Sequence, residues 1–224
     1  MKYTSQCKQD YFLNEVIFKG KKDGIFVDVG ANDGVTYSNS YFFEKELGWT
    51  GICIEPLPGA FAKLKKNRNC NSINGCCSNN NSVEIFLNVD GYGEMLSGLK
   101  SKYDPRHLNR LMNEVSLHGG SISEIEVICY NMNDLLLNNR LLQIDFISLD
   151  TEGGELDILK TLDFDNIGIK VIVVENAYNE PYISEFMKKK GFSMVKKLDA
   201  DEVFVNKKEF NFLTRLKFKN SKMK

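Results

Sequence analysis

The sequence predicts an α/β fold: a doubly wound, seven-stranded, mostly parallel sheet that ends in an antiparallel hairpin. Three observations predict it. Short apolar, β-branched runs alternate with segments of helical spacing along most of the chain. The runs Ile25–Val29, Ile144–Leu149 and Lys170–Val174 are nearly continuous in apolar residues, as strands covered on both faces are. Glycines and acids gather where these runs stop, at the strand-to-helix turns of such folds.

In order, Ile25–Val29 is the first strand and stops at Gly30, and Ser40–Leu47 has helical spacing up to Gly48. Gly51–Ile54 is a second strand, closed by Glu55-Pro56; Phe61–Asn67 reads as a Lys-rich helix, Asn71–Asn74 as a weak strand and Val83–Val89 as a further one. Residues 90–123 break the alternation, with glycines, a Tyr-Asp-Pro turn and a helix over Pro105–Val115, and read as a lid insertion. Alternation then resumes: strand Ile125–Tyr130, helix Met132–Asn138, strand Ile144–Leu149, helix Glu155–Leu162, strand Lys170–Val174 and helix Ile183–Lys190. Gly191–Lys197 and Glu202–Asn206 form a hairpin around Leu198–Asp201. One domain over residues 1–206 and a tail over 207–224 are expected.

Charge sets the partners. The chain has 224 residues and a formal net charge of -1, so the whole molecule has no bulk attraction to nucleic acid. The tail differs, with seven Lys/Arg and one acid from Lys207 to Lys224, the composition of a basic membrane or RNA contact. No apolar run reaches the roughly 18 residues of a membrane span, and MKYTSQCKQDYF has no signal-peptide core. Six scattered cysteines without a CxxC pair, beside two histidines, suggest reduced thiols in a cytoplasmic protein.

The stretch GIFVDVGANDG points to a cofactor pocket at the end of the first strand. Its spacing is GxxxG, with Asn32 where a dinucleotide fingerprint needs a glycine, and no phosphate loop exists, so a nucleoside without phosphates is favoured. Asp28 inside an apolar strand needs a partner, such as a cationic ligand or a ring of amides. Glu55 lies 21 residues beyond Gly34, where an acid accepts from ribose hydroxyls. A ribose, a cation and no phosphate together describe S-adenosylmethionine.

Acids also end later strands: Asp150 and Glu152 in IDFISLDTEGGE, Glu175 and Asn176 in VIVVENAYNE. Asp150 or Glu152 fits a general base for an acceptor hydroxyl. Asp150, Glu175 and Asn176 fit a divalent cation, Mg2+ or Mn2+. Asp150 and Glu152 also fit caps of the next helix. His107, in YDPRHLNR, is a further base candidate, and Arg106 a candidate contact to an anionic or polyhydroxyl acceptor.

The chain resembles the FkbM family of S-adenosylmethionine-dependent methyltransferases, within the class I, Rossmann-like methyltransferase fold. The resemblance rests on Ser5-Gln6 and Gln9-Asp10, FVDVGANDG, Ser38-Asn39-Ser40, GWTGICIEPLP, LSGL with YDPRHLNR, and LDTEGGE, from about residue 4 to 206. It implies O-methylation of a hydroxyl on a sugar, glycan or other small molecule. Gly30, Ala31, Asn32 and Gly34 would contact the methionine part with Asp28 and Ser38 nearby. Glu55 and Pro56 would serve the ribose, Ser78 the adenine, and Asp150 would face the methyl. Ser5, Gln9 and Asp10 would close over cofactor or acceptor, with Arg106, His107 and Asn176 on the acceptor side. An RNA methyltransferase on the same sheet, or a non-catalytic S-adenosylmethionine-binding domain, are the alternatives.

Overall fold

Alternation of side chains along buried strands decides the architecture. In the computed structural model, which describes residues 3–223, a short helix α1 (Gln9–Phe12) continues into a π-helical turn, Leu13–Phe18, ahead of β1 (Ile25–Val29). Next come α2 (Tyr41–Leu47), β2 (Thr50–Glu55), α3 (Pro58–Asn67) and β3 (Asn71–Asn74). They are followed by β4 (Cys76–Ser78), β5 (Ser82–Asp90), β6 (Gly98–Leu99), α4 (Pro105–His118) and β7 (Ser121–Asn131). The chain continues through α5 (Met132–Asn138), β8 (Gln143–Leu149), α6 (Glu155–Thr161) and β9 (Gly168–Glu175). It finishes with α7 (Pro181–Lys189), β10 (Phe192–Leu198), β11 (Asp201–Asn206) and α8 (Phe212–Asn220).

The main sheet has seven strands in the order β3-β2-β1-β8-β9-β11-β10. β1 is parallel to β2 and β8, and β8 to β9, while β11 is antiparallel to both β9 and β10. The direction of winding reverses between β1 and β8, so a crevice opens at their carboxyl ends. Val27, Val29, Ile147, Leu149, Ile172 and Val174 face α5, α6 and α7 on one side. Phe26, Cys53, Phe146, Val171 and Val203 face Phe12, Phe43, Leu64 and Phe218 on the other. Each such side chain, fully buried, is worth about 1.5–3 kcal/mol. Trp49 closes the foot of β2: it is 2% exposed, donates from Nε1 to the Lys21 carbonyl at 2.8 Å, and leaves no room for a Cβ on Gly24.

The sequence pattern places 83–89 and 125–130 among the alternating strands; instead they build a separate four-stranded sheet, β4-β7-β5-β6. β5 and β7 pair antiparallel from Ser82↔Cys129 to Asp90↔Ser121. The physical reason is that β5 is not covered on both faces along its length: Phe86, Leu87 and Val89 are buried, whereas Val83 and Ile85, on the face of Leu87 and Val89, are exposed. Residues 90–123 hold 3-10 turns at Glu94–Leu96 and Lys100–Lys102, β6 and α4, around a small core of Val89, Leu96 and Leu111. In the tail, α8 seats Phe218 against the core beside Val195. Met1, Lys2 and Lys224 lie outside the described residues. Among the described residues, no helix is long and apolar enough to cross a membrane.

Candidate functional site

The crevice at the carboxyl ends of β1, β2, β8 and β9 is a cavity of about 530 Å³, within the range of small-molecule sites. Its floor is the β1–α2 turn. Gly30 and Ala31 donate their N–H groups to the Ile54 carbonyl, and the Asn32 N–H reaches Glu55 Oε2 at 2.9 Å. Gly30 has φ +83°, and a Cβ there would stand 1.8 Å from the Asp150 carbonyl, so glycine is required where β1 meets β8. Asn32 is left-handed at φ 47°, a conformation that Asn tolerates. The floor is thus pinned between two strand ends.

The acids around this floor fall into two groups. In the first, every carboxylate is engaged by the protein. Glu55 accepts from the N–H groups of Asn32 and Leu57 at 2.9 and 2.8 Å, and burial raises its pKa to about 7. Asp28 accepts from Ser40 Oγ at 2.5 Å and Ser38 Oγ at 3.4 Å. The Arg68 guanidinium stands near it, bonding Ser40 Oγ at 2.9 Å and the Gly34 carbonyl at 3.0 Å. Burial pushes the Asp28 carboxyl up, and Arg68 and the two hydroxyls pull it back. Internal hydroxyls and a guanidinium therefore satisfy Asp28, where the sequence suggested a ligand or backbone amides. Arg68 is 4% exposed and also bonds Glu44 at 2.8 Å. Nothing in the local sequence separates it from the Lys-rich surface of α3, so its role is visible only in three dimensions.

In the second group, Asp150, Glu152 and Glu175 bring oxygens within 4.8 Å of one another. Asp150 opens onto the cleft yet is ringed by protein; that surrounding, with repulsion from Asp201 and Glu155, raises its pKa to about 7. Burial and Asp150 raise Glu152 to about 8, and burial with Asp150 and Glu152 raises Glu175 to about 11. Glu152 is itself left-handed, φ 56°, a strained state for this residue type. Its Oε2 has no hydrogen-bond partner, although His107 Nδ1 stands 3.3 Å away. Arg110 of α4 also lines the cleft and pulls the Glu152 value down. Neither Asp150 nor Glu152 caps α6. Glu155 does the local work instead, accepting from the Thr151 hydroxyl at 2.8 Å and the Gly153 N–H at 3.0 Å.

A second cavity of about 400 Å³ adjoins the first and shares Glu152, Gly153, Glu175 and Ala177 with it. His107, Asn176, Tyr178 and Tyr182 line its far side. His107 stacks on Tyr103 at 4.8 Å, and its Nε2 lies 3.2 Å from the Leu96 carbonyl. Arg106 is paired outside with Asp104 and Glu180 and covers the Tyr178 ring at 4.2 Å.

Among the residues singled out from sequence, the first cavity brings together Gln9, Asp28, Gly30, Ala31, Asn32, Ser38, Glu55, Pro56, Asp150, Glu152 and Glu175. Others are placed elsewhere. Gly34 packs behind the turn, where a Cβ would meet Leu64 and Arg68 at 2.6 and 2.7 Å. The Ser78 hydroxyl is turned to Asn79 and Glu84, 3.2 and 3.4 Å away; its neighbours Cys76 and Cys77 line the cleft instead. Ser5 and Asp10 bond each other at 2.5 Å and fold the N-terminal strap, which presents Gln6, Cys7 and Gln9 to the cleft. Gln9 Nε2 donates to Asp201. Asn176 Nδ2 donates to the Glu180 carbonyl and to Glu202 at 2.9 and 3.0 Å, and its Oδ1, the atom a cation would need, accepts from the Glu180 N–H at 2.8 Å; Glu152 is the residue whose oxygen joins those of Asp150 and Glu175. Asn39 was missed as a site residue although Ser38-Asn39-Ser40 carries it. Its Nδ2 donates to Ser148 Oγ at 2.9 Å, leaving Oδ1 buried and unpartnered in the cleft wall.

Comparison with known proteins follows the same line. Residues 28–194 match the family described as the methyltransferase FkbM domain. No curated protein sequence matches. Solved structures similar to this one include an uncharacterized protein from Listeria monocytogenes serotype 4b (10% identity, 91% of this chain and 68% of that one, TM-score 0.48). A precorrin-6y C5,15-methyltransferase from Geobacter metallireducens GS-15 aligns at 12% identity over 90% of this chain and 89% of its own, TM-score 0.46. A methyltransferase FkbM from Methylobacillus flagellatus KT aligns at 12% identity over 82% of this chain, TM-score 0.46; the chain spans 43% of that protein's length.

Proposed function

The chain belongs to the FkbM methyltransferase family, and on that premise we propose that it is an S-adenosylmethionine-dependent O-methyltransferase acting on a hydroxyl of a sugar, glycan or other small molecule. The observation that carries this reading is a pair of buried oxygens without hydrogen-bond partners in one cleft, Asn39 Oδ1 and Glu152 Oε2, the latter with the His107 ring 3.3 Å away. Buried acceptors left unpaired are costly, and both call for donors from bound molecules.

S-adenosylmethionine, when bound, supplies a methyl group on a sulfonium. The chain's residues fit it. Each Glu55 oxygen accepts one N–H and keeps a lone pair for a ribose hydroxyl. Asn39 Oδ1 accepts from the methionine ammonium. Leu57, Cys76, Phe86 and Leu96 give an apolar wall for a purine. The pinned turn Gly30–Asn32 has a side chain where a diphosphate would need bare backbone.

The acceptor occupies the second cavity, so that its hydroxyl meets the shared wall. Glu152 Oε2 accepts that hydroxyl's hydrogen bond and takes its proton as the oxygen is methylated; a carboxyl near neutral pKa suits the task. Holding the groups in line and excluding water does the rest. Asp150, Glu152 and Glu175 also form an oxygen-only donor set of the type that Mg2+ or Mn2+ takes; a cation there would polarise the acceptor oxygen. The clustered acids argue against a polyphosphate chain such as RNA at this wall.

The test is calorimetry of the full chain with S-adenosylmethionine, followed by a mass-spectrometric screen of sugars and glycans for a methyl-sized gain. Binding with a methylated hydroxyl supports the reading. No binding, binding without any methylated product, or methylation of RNA alone overturns it. The same assay with EDTA separates the two proton-handling schemes: unchanged turnover assigns the step to Glu152 alone, and loss restored by Mg2+ assigns it to a cation on the trio.

A further inference from the structure

Helix α8 is held to the body in a defined pose. Asn211 caps it, accepting from the Thr214 N–H at 2.9 Å, and Lys196 Nζ of β10 donates to the Ser221 carbonyl at 3.0 Å. Phe218 anchors it, 4% exposed. At 3.6 residues per turn, Phe212, Leu216 and Leu213 fall within an arc of about 100°, and Phe218 lies about 190° from its centre. The anchor therefore turns this stripe away from the body: Phe212 and Leu213 are each 67% exposed, and Leu216 is 42% exposed. Around the helix, Lys217 lies on one side of the stripe and Lys219 and Arg215 on the other. Lys207 and Lys208, just before it, are exposed as well.

The position of these charges is equally informative. β11 begins at Asp201, which lines the cleft, and runs antiparallel to its neighbours, so Asn206 ends at the opposite end of the sheet. Lys207 follows there, its N–H bonded to the Gly191 carbonyl at 3.0 Å. Lys207 and Lys208 thus stand at the end of the sheet away from the acids, and α8 runs back from there along β10 to Lys196.

We propose that α8 is a peripheral anchor for an anionic phospholipid surface, with Phe212, Leu213 and Leu216 entering the headgroup–acyl boundary and the flanking cations facing lipid phosphates. An apolar stripe bordered by cations on a short surface helix is the pattern that lies in a bilayer interface. Charge complementarity selects anionic lipid, each nearby Lys or Arg adding about fivefold to the partition. Bare polyanions such as RNA satisfy the cations but leave Leu213 and Leu216 in water, whereas a bilayer takes both. This inference stands apart from the proposed reaction.

The test is co-sedimentation of the full chain with vesicles of phosphatidylcholine alone and with about 30 mol% phosphatidylserine, at about 0.1 M salt. The expected result is binding to the anionic vesicles only. Leu213→Glu with Leu216→Glu, and separately Lys217→Glu with Lys219→Glu, should each lower the partition more than about tenfold. All four side chains are exposed, so the thermal midpoint should not move. Phe212→Trp gives a second readout, a blue-shifted emission quenched by brominated lipid. No partition onto anionic vesicles, partition indifferent to the Leu changes, or binding to a single-stranded RNA in place of vesicles would each overturn the proposal.

Discussion

The two sides of the cleft use the same residue types to opposite ends. On the β1–β2 side, Asp28 and Glu55 are bound by hydroxyls, backbone N–H groups and a nearby guanidinium. On the β8–β9 side, Asp150, Glu152 and Glu175 crowd one another, and Glu152 Oε2 has no hydrogen-bond partner. A satisfied buried acid fixes geometry, while a crowded one stores a proton near neutral pH. The comparison assigns the first side to holding a cofactor and the second to handling the acceptor's proton.

The largest effect expected is on the fold. Arg68→Ala leaves Asp28 without its nearby cation and Glu44 with Lys45 alone, and losing one partner of a buried charge network costs about 3–5 kcal/mol. Thermal denaturation should show a midpoint lower by about 10 °C. A drop of a degree or two would mean that the β1 side is held without this network, which breaks the contrast. Next in size is Glu152→Gln, with an expected loss of about 10²–10³ in kcat on any acceptor the screen identifies, and cofactor KM within about threefold. A cofactor KM raised as far as kcat falls would place Glu152 on the wrong side.

Part of this contrast was legible in the sequence and part was not. The strand Ile25–Val29 and the helix Met132–Asn138 are found with the bounds that the pattern gives, because dense β-branched runs and clean helical spacing leave little choice. Asp28, Glu55 and Asp150 were legible because a carboxylate at or inside a strand end has few other reasons to be there. Gly34 and Ser78 were misplaced because spacing cannot tell which way such a residue turns: Gly34 packs on Leu64, far along the chain, and the Ser78 hydroxyl turns to Asn79 and to Glu84 of the next strand. The second sheet was hidden for the same reason, since strand partners depend on long-range register. Arg68 was invisible because its four partners converge only on folding.

A smaller effect sharpens the contrast through pH. Glu175 has a folded-state pKa raised to about 11, against about 4.3 in an unfolded chain. The folded state therefore holds the proton longer, and the associated stability is present in acid and lost progressively as pH rises above about 4.3. Glu175→Gln removes that loss. With allowance for its partial exposure, the variant should gain about 1 kcal/mol over the parent at pH 8 and nothing at pH 4, a midpoint difference of about 2–4 °C. An equal gain at both pH values would show that packing, not ionisation, is responsible.

The most direct measurement is calorimetric titration of S-adenosylhomocysteine into the parent, Glu55→Gln and Asp150→Asn. Loss of a charged acceptor of two ribose hydroxyls should weaken binding to Glu55→Gln by about 10–100-fold, while Asp150→Asn keeps affinity within about threefold. Full affinity in Glu55→Gln, or collapse of affinity in Asp150→Asn alone, would contradict the division of the cleft into a cofactor side and a proton-handling side.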